Sequence, residues 1–308
     1  MTILVAGHTG LVGAAIYELL KSMGEDVLGL NSKVIDLLDR PKTIQFLSDV
    51  KPTVVIDAAA IVGGIGANNS RSVDFLSKNL QIQTNLMDGS HQARVERFVF
   101  LGSSCIYPRE CPQPIKEEYL MTGPLETTNS AYAIAKIAGI ELIKSYRKQF
   151  NHKWISVMPT NMYGPNDNFS KDQGHVLPAL INRFVHAMES DAESLTLWGS
   201  GSPMREFLHS RDLAEAVVFL LERYDDDLHI NVGSGQDLQI SELATLIGKE
   251  VGFKGAIEWD RSRPDGTPRK LLDSSRIRNL GWGPRISLED GIRETIKWFK
   301  ENISRVRS

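Results

Sequence analysis

The sequence predicts a doubly wound parallel α/β sheet followed by a smaller C-terminal α/β region. Two observations carry this. A short apolar run at the N-terminus breaks into a glycine turn and then a helical pattern. Apolar runs of strand length then alternate with helical patterns, as parallel strands with crossover helices require. Beyond Pro165 this rhythm loosens, which puts a domain change there. The expected division is 1–165 and 166–308, with the first part completed by a return of the chain at about 205–233.

Composition sets the outer limits. The 308 residues suffice for two domains or one elaborated α/β domain, and 42% hydrophobic with 24% charged residues is ordinary for a globular chain. A formal net charge of −3 argues against nucleic acid as the partner. No apolar run reaches membrane-spanning length, and the opening residues lack the basic segment of a signal peptide. Two cysteines, Cys105 and Cys111, make no disulfide framework, so a reduced, cytoplasmic setting is expected. No metal site is expected.

The first strand, Thr2–Ala6, ends in Gly7-His8-Thr9-Gly10-Leu11-Val12-Gly13 and a helix running through Ile16, Leu19 and Leu20. Strand, glycine turn and helix are the context of a dinucleotide-binding turn. Gly7 permits the tight turn, Gly10 admits a pyrophosphate, and Gly13 lets helix and strand pack closely. The helix N-terminus offers free N–H groups to the phosphates. His8 is a further candidate cofactor contact. The second strand, Asp26–Leu30, leads to Asn31-Ser-Lys33, with no carboxylate before Asp36. An acid there would favour NAD; Lys33 among small polar residues suits the 2′-phosphate of NADP.

The third strand, Thr53–Asp57, opens into small residues that leave room for a ligand, and a helix is expected from about Val73 to Gln92. The fourth, Arg97–Leu101, leads to Gly102-Ser103-Ser104-Cys105, where Ser103 can hydrogen-bond a substrate carbonyl. Tyr132 and Lys136 lie four apart in an Ala- and Ile-rich helical run, so phenol and ammonium share a face. A cation held beside Tyr132 would favour phenolate and lower its pKa. The fifth strand, Trp154–Met158, leads to Pro159-Thr160-Asn161-Met162. His175 precedes a helix with Pro178 in its first turn, and Arg183 lies two turns along it. A strand is expected at Arg205–His209, a helix at Asp212–Leu221 and a returning strand at His229–Val232. Ser241 is placed to open one helix, and Ser287 the terminal one.

The glycine turn, the Ser after strand four and Tyr-x-x-x-Lys together resemble the extended short-chain dehydrogenase/reductase superfamily. Longer stretches narrow this: Gly102–Pro108, Tyr132–Gly139, Met158–Phe169, Trp198–Phe207 and Arg263–Lys270 resemble the GDP-L-fucose synthases, bifunctional epimerase-reductases of a GDP-4-keto-6-deoxy sugar. The resemblance implies NADP(H), a C-terminal sugar-nucleotide domain and a homodimer. It implies Ser103, Cys105, Tyr132, Lys136 and His175 as the catalytic set, with Cys105 as base and His175 as acid. Cofactor contacts are implied along Gly7–Gly13, at Lys33, Leu101, Gly102, Ser103, Ser104 and Lys136, at Pro159–Met162 and at His175. Substrate contacts are implied at Asn161, Arg183, Trp198, Arg205, Asp265 and Lys270. Many members carry Arg at the Thr9 position and near Asn31, which leaves Lys33 to meet the 2′-phosphate here. Related dehydratases carry an Asp-Glu pair where this chain has Ser104-Cys105, which favours enolate chemistry without dehydration. The rival readings are a relative acting on a GDP-keto-deoxyheptose and a non-catalytic NADP-sensing protein; the latter tends to lose the Tyr-Lys pair, which is intact here.

Overall fold

The computed structural model describes residues 1–170, 174–262 and 265–304. Strand and helix alternate first: β1 (Thr2–Ala6), α1 (Leu11–Ser22), β2 (Asp26–Leu30), α2 (Arg40–Val50), β3 (Val54–Asp57), α3 (Ile65–Ser70), α4 (Asn79–Gln92), β4 (Arg97–Leu101), α5 (Ser130–Phe150) and β5 (Ile155–Pro159). Then come β6 (Asn161–Tyr163), α6 (Val176–Glu189), β7 (Ser194–Trp198), β8 (Met204–His209), α7 (Ser210–Arg223) and β9 (Ile230–Val232). The chain ends with β10 (Asp237–Gln239), α8 (Ile240–Val251), β11 (Ala256–Asp260), β12 (Arg269–Lys270), α9 (Ser275–Asn279) and α10 (Leu288–Asn302).

Six strands form a parallel sheet in the order β2-β1-β3-β4-β5-β9. Helices cover both faces, so its strands are buried on both sides. Ile3 and Val5 of β1 pack with Ile16 and Leu20 of α1 and Leu213 and Val217 of α7. Leu4 and Ala6 point the other way, into a core with Leu86 of α4, Phe98 and Phe100 of β4 and Ile140 of α5. The chain leaves β1 toward β2 on one side, while β3 lies on the other. The crevice beyond the carboxyl ends of β1 and β3 is therefore the place where such sheets bind ligands.

A second sheet centres on β8, which pairs with β6 and β12 in parallel and with β10 antiparallel; β7 and β11 form a separate parallel pair. Its core joins Phe184 of α6, Leu243 and Ile247 of α8, and Ile292 and Phe299 of α10. Fully buried Glu206 accepts from the amides of Gly235 (2.6 Å) and Leu272 (3.0 Å), fixing two loops to β8.

Three local details differ from expectation. The helix expected over Val73–Gln92 is interrupted by a π-helical turn, Asp74–Lys78, before α4 begins. A further helix, α2, is capped by Asp39, which accepts from Lys42 N at 3.1 Å, with a proline in its first turn. The cap of α8 is Gln239, not Ser241: Gln239 and Glu242 satisfy each other's backbone amides, and Ser241 Oγ donates to Gln239 Oε1.

Candidate active site

The glycine turn sits at the crevice. Gly7 has φ +79°, and a Cβ there would lie 2.7 Å from the Ala58 carbonyl at the end of β3. A Cβ on Gly13 would lie 2.2 Å from Gly7 O, so glycine is what allows α1 to meet the turn. Gly10 caps α1 without a side-chain bond, and the first turn, with Leu11 and Val12, carries no acid. Its free N–H groups and positive end fit a pyrophosphate. Thr9 is exposed beside it, and Lys33 is exposed just past β2, where Asn31 Oδ1 accepts from its amide. The His8 ring packs beside Gly29 and Tyr17 (5.2 Å between the His8 and Tyr17 centroids).

At the end of β4, Ser103 is extended and its Oγ accepts from Cys105 N at 3.3 Å. Leu101 and Ser104 are buried, and Gly102 abuts Met158. Along α5, the Lys136 ammonium is 5.9 Å from the Tyr132 ring centroid and 4.7 Å from that of Phe100. Its hydrogen bond goes to the Leu101 carbonyl, 2.9 Å away. The expected lowering of the Tyr132 pKa is not found. Burial pushes it up, and Cys105 and Asp57 add to the rise; the ammonium is turned to Leu101. Tyr132 is thus held as a neutral phenol, a hydrogen-bond donor.

Cys105 collects donors from distant parts of the chain. Asn129 Nδ2 is 3.4 Å from its sulfur and Lys270 Nζ 4.0 Å. Arg205 bonds the Met204 carbonyl; burial lowers its pKa, opposed by Cys105, Asp265 and Glu126, which puts all three within electrostatic reach. The cleft around Cys105 is also lined by Arg109, Glu126 and Thr267. His175 stands at the N-terminus of α6, without a capping bond from its side chain. Its pKa is lowered, first by the surrounding protein and then by the Lys270 charge. Lys270 therefore stands in relation to both proposed proton carriers.

The remaining candidates divide. Pro159 ends β5, Thr160 N donates to Val232 O (3.0 Å), and Met162 packs on the first core. The Asn161 amide donates to Glu206 O at 2.7 Å, so that hydrogen is committed to backbone. Arg183 bonds the Thr196 carbonyl and lies 6.0 Å from the Trp198 ring, which is 52% exposed at the end of β7. Asp265 accepts from Ser200 N (2.7 Å) and Ser200 Oγ (2.8 Å), closing the turn after Trp198. Lys270 stands beside Cys105, and Arg183 lies by Trp198 at the end of β7. Arg263 and Pro264 of the resembling stretch lie outside the described residues.

Residues 3–233 match the NAD dependent epimerase/dehydratase family. GDP-L-fucose synthase 1 of Arabidopsis thaliana is 52% identical over 302 residues, 98% of this chain and 94% of that enzyme. The chain belongs to the GDP-L-fucose synthase family. A GDP-L-fucose synthetase from Naegleria fowleri bound to NADP superposes with a TM-score of 0.92 at 30% identity, covering 100% of this chain and 96% of that one. A GDP-6-OMe-4-keto-L-xylo-heptose reductase from C. jejuni gives 0.92 at 32% identity, covering 98% of each.

Two residues near this GDP-L-fucose synthase-type site escaped sequence reasoning. Asn129 lies one position before the stretch read as helix, and its contact with Cys105 spans 24 residues. Asp57 is fully buried at the end of an otherwise apolar strand. A carboxylate ending such a run was the available signal, because buried charge is costly without a partner.

Proposed function

We propose that this protein converts GDP-4-keto-6-deoxy-D-mannose to GDP-L-fucose, inverting C3 and C5 and then reducing C4 with NADPH. The observation that carries this is the Cys105 sulfur, held 3.4 Å from Asn129 Nδ2 and 4.0 Å from Lys270 Nζ. The C4 ketone acidifies the C–H bonds on both flanking carbons. Cys105 as the base takes one such proton, and the electron pair of the broken bond moves to O4. Tyr132 and Ser103 donate hydrogen bonds to that enolate oxygen. His175 returns a proton to the opposite face, which inverts the centre with no net redox change. NADPH, when bound, supplies the hydride to C4. Tyr132 then gives its proton to O4, a role its raised pKa suits because an alkoxide is a still stronger base. Lys136 holds the nicotinamide ribose.

For the cofactor, Gly7–Gly13 would hold the pyrophosphate and Lys33 the 2′-phosphate, with Leu101–Ser104 and Pro159–Met162 along the nicotinamide half. Asn161, Arg183, Trp198, Arg205, Asp265 and Lys270 would hold the GDP-sugar. Residues 1–165, with the return at about 205–233, are taken as the cofactor part and 166–308 mainly as the sugar-nucleotide part. The same reading takes the enzyme as a cytoplasmic homodimer with reduced thiols. Among the described residues no helix is long and apolar enough to cross a membrane.

Incubation with GDP-4-keto-6-deoxy-D-mannose and NADPH in heavy water tests the proposal. GDP-L-fucose labelled at C3 and C5 supports it; a reduced product without deuterium leaves a plain 4-ketoreductase. The close superposition on the heptose reductase favours one second reading, a GDP-4-keto-6-deoxyheptose substrate, against which the higher identity to the fucose synthase weighs. Turnover of the heptose alone would establish it.

A further inference from the structure

Asp57 is a buried acid with no role in the chemistry above. It ends β3 after Val54, Val55 and Ile56, and none of its surface is exposed. Oδ1 accepts from Ala59 N at 3.1 Å, which would suffice to turn the chain. Oδ2, however, is buried with no hydrogen-bond partner. Strand alternation places Asp57 on the same sheet face as Val55, the face that α5 covers. Its register partner on β4 is Phe100, whose ring centroid lies 4.7 Å from the Lys136 ammonium. Lys136 is itself 3% exposed, and its one hydrogen bond among the described residues goes to Leu101 O. A buried ammonium with two further donors and a buried carboxylate with a free oxygen thus occupy neighbouring places under the crevice.

We propose that Asp57 is a positioning residue: the counter-charge that keeps Lys136 an ammonium and holds it at the end of β4, ready for the nicotinamide ribose. This rests on the reading of Lys136 as a cofactor contact. Burial alone drives a lysine toward its neutral form. Here burial lowers the Lys136 pKa and the Asp57 charge opposes the fall, while Lys136 opposes the rise that burial imposes on Asp57. The other ionisable groups in this field are Tyr132 on α5, which Asp57 affects, and Cys105 after β4, which acts on Tyr132.

The test is NADPH binding, followed by fluorescence without substrate, in the wild type, Asp57→Asn, Lys136→Met and the double variant. Melting curves establish that each is folded. Asp57→Asn should weaken binding by about 5- to 10-fold, with the loss growing as pH rises and Lys136 gives up its proton more readily than in the wild type. In the Lys136→Met background the same change should cost less than about 2-fold. Wild-type binding by Asp57→Asn as pH rises, or an equal loss in both backgrounds, would overturn the proposal. Undiminished binding by Lys136→Met would instead sink the reading of Lys136 beneath it. If Asp57→Asn does not fold, Asp57→Ser, which keeps an acceptor for the Ala59 amide, carries the same expectations.

Discussion

The Asn129 amide nitrogen lies 3.4 Å from the Cys105 sulfur, so the residue that caps α5 also holds the thiol. Three residues further on, the same helix presents Tyr132. The proposed base and the proposed oxyanion donor therefore share one rigid support. Asn129→Ala should lower solvent exchange at C3 and C5 by about 10-fold, the scale of one hydrogen bond to a charged group, while sparing reduction of an already epimerised ketone. Deuterium uptake measured beside NADPH consumption separates the two.

Cys105→Ser removes the thiol but keeps its approximate shape. Exchange should fall by about 10²- to 10⁴-fold, the usual contribution of a positioned acid or base. NADPH binding should stay unchanged. Retained exchange would make the cysteine structural.

Tyr132→Phe should depress both half-reactions, because one oxyanion position serves the enolate and the alkoxide. Reduction should fall by about 10²- to 10⁴-fold, with exchange falling less because Ser103 remains. A loss confined to reduction would mean that Tyr132 does not touch the enolate.

Asp167 is buried, and burial pushes its pKa up to about 7. A raised carboxyl pKa means that the folded state binds the proton more tightly than the unfolded one. The stability this contributes is complete below about pH 4 and is lost as pH rises through 7. Asp167→Asn, which keeps an acceptor for the Asn168 amide, should therefore be more stable than wild type at pH 8 by on the order of 2–4 kcal/mol and melt higher there. The advantage should vanish near pH 4, as melting curves across that range would reveal.

Lys33 stands past β2 where no carboxylate precedes Asp36. Lys33→Ala should raise the KM for NADPH by about 10-fold and leave that for NADH nearly unchanged, as expected when a charge-assisted bond to the 2′-phosphate is lost. Equal effects on both cofactors would place the 2′-phosphate elsewhere.

What was legible in the sequence was contiguous. Gly7–Gly13 and the Tyr132–Lys136 pair are short-range patterns whose geometry follows from a turn or a helix period, and both formed as read. What was not legible depends on distant chain. Lys270 reaches Cys105 across 165 residues, and no local pattern announces it. The His8 ring is turned inward because position 29, on the neighbouring strand, is a glycine. Helical spacing brought Lys136 near Tyr132, but the sign of the phenol's shift was set by burial and by where the ammonium found its acceptor. Within the stretch from Asn161 to Lys270, Lys270 is set beside Arg205 of β8 only by the pairing of β12 with β8.

The return of the chain to its first sheet has a consequence for anyone wishing to recombine such enzymes. β9 supplies the outer partner of β5, and α7 covers α1, yet both are encoded beyond β6, α6 and β8. A fragment cut at residue 165 would leave the β5 edge unpaired and the apolar stripe of α1, with Ile16 and Leu20, without its cover. During synthesis that sheet must wait for about 230 residues before it can close. A graft that exchanges the region around β8 therefore needs separate junctions on either side of α7–β9, because a single splice would carry away the wall of the six-stranded sheet.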